Sequence, residues 1–246
     1  MTLVERLRAA GCVFAEDEAR LLREAAPDQE SLASLVARRV AGEPLEYVVG
    51  WAVFHGLRLA IEPGVFVPRH RTELLADQAT ALARPGAVVV DLCCGCGAVG
   101  AAVAAAVPVE LHAVDMSPAA VRVARRNVPR VYEGDLFDPL PASLRGRVEV
   151  LVANVPYVPT EAIAMMPPEA REHEPPAALD GGADGLDVLR RVAEEAPAWL
   201  AAGGALLVET GEDQAATAAA VLAGAGLSPW TVRDEETVVV AGTLSR

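Results

Sequence analysis

Hydrophobic and polar positions change their period several times along the 246 residues. Up to about residue 45 the apolar positions recur at helical spacing. Leu3, Leu7 and Ala10 share one face, as do Leu21, Leu32, Leu35 and Val36 further on. Pro27-Asp28 interrupts the run, which predicts two or three short helices. So short a stretch is too small for a core of its own, so it is expected to pack on a larger body. WAVF, Gly56, LRLAI, Pro63-Gly64 and VFVP then read as a β-hairpin over 51–67, and a helix from Arg71 to about Ala83 is stopped by Pro85-Gly86.

Beyond that point strands and helices alternate. Strand 87–92 precedes helix 98–107, strand 109–115 precedes helix 118–127, and a weak strand lies near 130–132. Strand 147–153 leads into a Pro-rich loop over 155–183, then helix 185–201, strand 204–210, helix 212–224, and strands near 227–233 and 236–243. Continuous Val/Leu strands separated by helices predict a doubly wound, mostly parallel α/β sheet. The last two strands have no helix between them and are expected to pair antiparallel. This divides the chain into a helical segment (1–45), a linker with the hairpin (46–70) and the α/β domain (71–246).

Composition narrows the chemistry. The formal net charge of −13 opposes a phosphate backbone, so no broad nucleic-acid footprint is expected. There is no lysine, which excludes Schiff-base, P-loop and Tyr–Lys dyad chemistry. Three of the four cysteines, Cys93, Cys94 and Cys96, fall within four residues, and the other is Cys12. That clustering suits a reduced, cytoplasmic setting rather than a disulfide framework. The charged N-terminus has no apolar signal core. The uncharged run from Leu92 to Val109 is Ala/Gly-rich and broken by Pro108, so no membrane association is expected.

Two strand ends carry candidate chemistry. DLCCGCGAVG places Asp91, Gly95, Gly97 and Gly100 at a strand-to-helix junction, where glycines let a ligand approach the backbone and the helix N-terminus adds a positive dipole. Gly95-x-Gly97-x-x-Gly100 alone cannot separate a nicotinamide cofactor from S-adenosyl-L-methionine, and Asp115, ending the next strand, suits ribose hydroxyls in either. A turn with a capped helix is the plain alternative. Zinc wants four tetrahedral ligands, and two adjacent cysteines with no nearby His do not supply them, so no metal is expected.

The strand VEVLVA ends in Asn154-Val155-Pro156-Tyr157. An amide or exocyclic amine nitrogen has a delocalised lone pair and attacks poorly. Two acceptors, the Asn154 side-chain oxygen and the Val155 carbonyl, can grip its two N–H groups, favour a pyramidal nitrogen and aim the lone pair at a methyl donor. Tyr157 can pack flat against the planar group. An ordinary post-strand turn is the plain alternative here.

These residues resemble the (Asp/Asn)-Pro-Pro-Tyr motif of methyltransferases acting on planar nitrogens. With GEPLEYVVG (Gly42–Gly50), PRHRTE (Pro68–Glu73), EPPAALDGGADGL (Glu174–Leu186) and GGALLVETGEDQ (Gly203–Gln214), the chain is similar to the HemK/PrmC group of protein-(glutamine-N5) methyltransferases over about 38–243. The resemblance implies a Rossmann-like class I fold with a seven-stranded sheet, its last strand antiparallel, and S-adenosyl-L-methionine as cofactor. It implies that Cys93, Cys94, Gly95, Cys96 and Gly97 line the methionine and ribose, that Asp91 and Asn154 also face the cofactor, that Asp115 binds the ribose, that Asp135 and Leu136 flank the adenine, and that Asn154, Val155, Pro156 and Tyr157 hold a glutamine amide. The acceptor it implies is the Gly-Gly-Gln loop of a translation release factor. Three features depart from the pattern. Cys93 stands where the group has its first loop glycine, Val155 replaces a proline, and the N-terminal helical part is short.

Competing assignments are an amino-methyltransferase of DNA or RNA bases, a nicotinamide-dependent oxidoreductase and a non-catalytic protein-binding paralogue. Among the other residues, His55, His70, His112 and His173 read as surface or loop positions, Glu209 either as a solvated strand end or as a ligand near the cofactor edge, and Trp51, Trp199 and Trp230 as core. Thr72 reads either as a helix cap beside solvated Arg69 and Glu73, or as part of a segment orienting the ligand. The Asp180–Gly185 stretch reads either as a lid or as a plain loop.

Overall fold

The computed structural model describes residues 1–235 and 237–245. Four helices come first: α1 (Leu3–Ala9), α2 (Ala15–Ala25), α3 (Gln29–Val40) and α4 (Leu45–Val49). A hairpin of β1 (Trp51–Phe54) and β2 (Leu57–Ala60) leads to α5 (Glu73–Leu82). Then follow β3 (Val88–Leu92), α6 (Ala98–Ala106), β4 (Glu110–Asp115), α7 (Pro118–Ala124), β5 (Val131–Glu133) and β6 (Val148–Ala153). The chain finishes with α8 (Pro168–His173), α9 (Asp187–Trp199), β7 (Leu200–Thr210), α10 (Ala215–Gly224), β8 (Leu227–Arg233) and β9 (Val238–Leu244).

Seven strands form one sheet in the order β5-β4-β3-β6-β7-β9-β8, with β9 antiparallel to both its neighbours and the other pairs parallel. β3 is buried at every position, as a central parallel strand covered on both faces must be. Val89, Val150 and Leu207 face α5, α6, α7 and the hairpin, whereas Val90, Leu151 and Leu206 face α9 and α10. The strand order reverses direction between β3 and β6, so the carboxyl ends of these two strands open onto the crevice where ligands bind in such sheets.

Several expectations shift in detail. The N-terminal stretch holds three helices, as its period predicts, but with α4 of the linker it also forms a small cluster of its own, in which Leu7, Cys12, Ala15, Ala19, Leu22, Val36 and Val48 pack together. Local caps hold it: Thr2 and Glu5 form a capping box on α1, and Asp28 accepts from the Ser31 N–H at 2.8 Å. Contacts to the rest include Arg58–Glu24 at 2.6 Å. The hairpin strands end at Ala60, with one further backbone bond from the Ile61 N–H to the Gly50 carbonyl at 3.2 Å, and the chain reaches the cavity at Gly64–Phe66. The Pro-rich loop contains α8. β7 begins at Leu200 rather than 204, with an irregular register near Gly203-Gly204. His112 is 4% exposed, its ring nitrogens at 3.0 Å from the Tyr132 hydroxyl and 3.2 Å from Glu110, so it is interior and not a surface residue. Of the tryptophans only Trp199 is fully buried. No helix is long and apolar enough to cross a membrane.

Candidate active site

The end of β3 builds one half of the site out of backbone. Leu92 finishes the strand, and Cys93 turns the chain with φ at +54°, in the left-handed region that disfavours a side chain. The Asp91 carboxylate, 1% exposed, accepts the Gly100 N–H at 2.9 Å. A Cβ at Gly100 would stand 3.0 Å from that oxygen and 3.1 Å from Leu111, so only glycine lets α6 pack so tightly on the strand. Asp115, at the end of β4, accepts the Gly95 N–H and the Ser117 N–H, both at 2.8 Å, and thereby ties the loop to the next strand.

Burial sets the protonation of this half. It pushes the Asp91 carboxyl up to about 7, against the lowering pull of the Gly100 N–H. Burial also raises Asp115, opposed by the two N–H groups it accepts. The Cys96 thiol is pushed up to about 12 by burial, and Cys93 and Cys94 are also raised, so the three sulfurs stay neutral. Among the described residues no three His, Cys, Asp or Glu side chains group to hold a metal ion.

The end of β6 builds the other half out of side chains from distant segments. Neither the half-buried Asn154 carboxamide nor the Val155 carbonyl has a hydrogen-bond partner among the described residues, and both residues line the cavity. Tyr157 is held on three sides. Its hydroxyl donates to Glu209 at 2.8 Å and accepts from Arg71 Nη2 at 2.9 Å, and Arg71 Nε donates to the same Glu209 oxygen at 3.3 Å. Its backbone carbonyl accepts Gln214 Nε2 at 2.8 Å, and that same nitrogen donates to the Asp184 carbonyl at 2.9 Å. Burial and the Glu209 charge keep the Tyr157 phenol neutral.

The Asp180–Gly185 stretch is braced against the Tyr157–Thr160 segment. Val158 and Leu179, Gly181 and Val158, and Thr160 and Gly182 exchange backbone hydrogen bonds at 2.9–3.0 Å. At Gly185, with φ at +77°, a Cβ would lie 2.2 Å from the Tyr157 carbonyl, so this position requires glycine.

Both halves open into one cavity of about 960 Å³. All the sequence-predicted site residues line it except Gly97. Gly97 serves packing instead: its left-handed backbone (φ +83°) starts α6, and a Cβ there would meet Val128 at 3.2 Å. Helices of the N-terminal part and α8 complete the wall, and Arg39 joins them, at 2.6 Å from Glu18 and 3.3 Å from Glu169. At one edge Arg69 pairs with Glu174 at 2.6 Å, and Glu174 also accepts the Val67 N–H at 3.2 Å. Glu73 accepts the His55 N–H at 2.7 Å, so neither Arg69 nor Glu73 is simply solvated. Thr72 makes no cap, and its hydroxyl is buried without a partner.

The sequence missed Arg71, Gln214 and Glu174 as supports and read Glu209 as solvated or on a ligand, whereas Glu209 is 1% exposed and engaged by Arg71 and Tyr157. A signal existed: a glutamate that directly continues the buried run Leu206–Val208 is costly unless paired, so it called for an arginine partner.

The Asp91–Asp115 end fits S-adenosyl-L-methionine on its donor set. The wall carries carboxylates and neutral thiols, suited to a sulfonium cation and a ribose diol, and both carboxylates are anchored by backbone N–H groups.

Residues 56–165 match the Methyltransferase small domain family. A release factor glutamine methyltransferase of Mycolicibacterium smegmatis is 42% identical over 203 residues, covering 78% of this chain and 72% of the relative. A 4-amino-L-phenylalanine/4-methylamino-L-phenylalanine methyltransferase of Streptomyces pristinaespiralis is 40% identical, covering 78% and 69%. A chain of the E. cuniculi Mtq2–Trm112 complex, responsible for methylation of the eRF1 translation termination factor, shares the fold at 18% identity, with a TM-score of 0.56 and coverage of 74% and 99%. The chain spans 66 to 74% of the length of several such curated relatives. A doubly wound sheet with an antiparallel last strand, a cofactor cradle after β3, an Asn-Val-Pro-Tyr end on β6 and this degree of identity place the chain in the release factor glutamine methyltransferase family of class I S-adenosyl-L-methionine-dependent enzymes.

Proposed function

We propose that the chain methylates the side-chain amide nitrogen of a glutamine in a protein, the Gly-Gly-Gln loop of a translation release factor, in a cytoplasmic setting that suits its four unpaired cysteines. The observation that carries this is the pair of free acceptors, Asn154 Oδ1 and the Val155 carbonyl, in a cavity shared with the cofactor cradle. S-adenosyl-L-methionine supplies an electrophilic methyl group when bound. Asn154 and Val155 accept the two N–H groups of the acceptor amide, which holds the hydrogens aside and turns the lone pair toward the donor. Tyr157, fixed by Glu209 and Arg71, presents its ring to the planar amide. Val155 in place of a proline keeps the carbonyl, and Pro156 still biases Val155 toward extended backbone. No residue need act as a base before transfer, because the nitrogen becomes acidic once methylated.

A second reading has one observation in its favour, the similarity to an enzyme named for an amine on a free amino acid. The same two acceptors would grip an arylamine. Label from tritiated S-adenosyl-L-methionine, offered to intact release factors, total nucleic acid and 4-amino-L-phenylalanine in parallel, separates these acceptors. Label confined to the release factor is the expected result. Label on the amino acid alone would move the function to the second reading, and label on nucleic acid would refute both.

A further inference from the structure

The cavity wall has an electrostatic pattern that the transfer chemistry does not use. Among the described residues, the four arginines that line it are already paired: Arg39 with Glu18 and Glu169, Arg69 with Glu174 at 2.6 Å, Arg71 with Glu209 and Tyr157, and Arg191 with Asp135 at 2.6 Å. Glu46, at the start of α4, also lines the cavity. Its carboxylate meets no cation and no other residue's donor among the described residues, leaning only on its own backbone N–H. The charges that act on it are Glu169 of α8, Arg69 of the Pro68–Arg69 segment and Arg39 of α3, and Glu46 in turn acts on Glu174. Burial raises its carboxyl, the response of an acid lacking a cation. The same cavity is lined by further acids, Asp17 and Glu169, and by the exposed apolar side chains Val13 (81%) and Phe14 (71%).

An anion with no partner, in a wall whose cations are all engaged, is complementary to a positive group on the incoming molecule. A wall so arranged repels acidic segments and discriminates among proteins that carry an accessible glutamine.

We propose that Glu46 is a specificity-determining residue that pairs with a guanidinium or ammonium side chain on the same loop that carries the methyl-accepting glutamine. The acceptor is thus a basic, glutamine-bearing protein loop whose apolar flank rests on Val13 and Phe14. This assignment rests on glutamine methylation as the activity of the site.

The test uses the full chain with an intact release factor in which each Lys and Arg of the Gly-Gly-Gln-bearing loop is exchanged singly for Met. The readout is kcat/KM for tritiated methyl transfer. One exchange should lower kcat/KM about tenfold or more with the wild-type enzyme, the scale of one charge-assisted hydrogen bond. The same exchange should have little effect with Glu46→Gln, and Glu46→Arg should regain activity on the release factor carrying Glu at that position. Unchanged cofactor affinity by calorimetry shows that the variants are folded. If no exchange matters, or if the sensitive one is equally costly with Glu46→Gln, the proposal is wrong and the activity stands. If the unaltered release factor takes no label, the proposed activity itself fails, and this assignment with it.

Discussion

The two ends of the cavity are built by different means. At the end of β3 the parts are mostly local: Asp91, Cys93 and Gly95 to Gly100 lie within one strand-loop-helix unit, tied to Asp115 on the neighbouring strand and, through the Cys96 carbonyl, to the Asn127 side chain 31 residues away. At the end of β6 the motif is local but its support is not. Tyr157 is positioned by Arg71, 86 residues away, by Glu209, 52 away, and by Gln214, 57 away. The first end is shaped by backbone geometry, which accommodates the Cys93 side chain in the left-handed region. The second end depends on a particular set of charged and amide side chains, each of which must be present. Cofactor binding and acceptor positioning should therefore respond separately to mutation.

The largest separation is expected for Asn154→Ala. Methyl transfer at saturating cofactor should fall on the order of 10²–10³-fold, as when one positioned hydrogen-bonding group is removed, while the calorimetric affinity for S-adenosyl-L-methionine stays within a few-fold of the wild type. Loss of both together would show that the two ends are one unit.

Asp91 sharpens the account of the cofactor end through pH. Its carboxyl is raised from an ordinary 3.8 to about 7. Below about pH 4 it is protonated in both folded and unfolded chains and costs nothing. As pH rises toward 7 the unfolded chain ionises first, so stability drops by an amount on the order of a few kcal/mol. Denaturant titrations from pH 4 to 8 should show this decline in the ligand-free wild type and not in Asp91→Asn. A flat wild-type profile would refute the burial argument.

Asp115→Ala removes the acceptor for the Gly95 and Ser117 N–H groups. Cofactor affinity should weaken about 10- to 100-fold, the cost of orphaning buried donors, with kcat at saturation close to wild type. The mirror case is Glu209→Gln. It weakens the hold on Tyr157 and leaves Arg71 without its anion, and should raise KM for the protein acceptor about tenfold, leaving cofactor affinity alone. Smallest of all, Cys93→Gly relieves a left-handed side chain (φ +54°) but frees the unfolded chain as well. A net gain of about 0.5–1 kcal/mol is expected, or roughly 2 °C in Tm. A fall in Tm would mean that the Cys93 side chain packs better than its backbone suffers.

The same contrast explains what could be read from the chain. Hydrophobic runs such as Val88–Leu92 and Val148–Ala153 announce buried parallel strands, and the glycine loop and Asn154–Tyr157 announce themselves at the strand ends, because each signal is complete within a few residues. At Gly97 the spacing shows that a glycine is needed but not that Val128 packs against it. Glu209 was misplaced because a carboxylate at a strand end is solvated unless a partner arrives from elsewhere, and Arg71 arrives from 138 residues away. The N-terminal core was missed because helical period shows which face is apolar and not that α1, α2, α3 and α4 close on one another.

The most direct test of the central claim is mapping by mass spectrometry of an intact release factor after incubation with the enzyme and S-adenosyl-L-methionine, beside a release factor whose loop glutamine is replaced by Ala. One methyl group on the Gly-Gly-Gln glutamine, absent from the Ala form, is the predicted result. A methyl group on any other residue, or an unmodified release factor from an enzyme that binds its cofactor tightly, would contradict it.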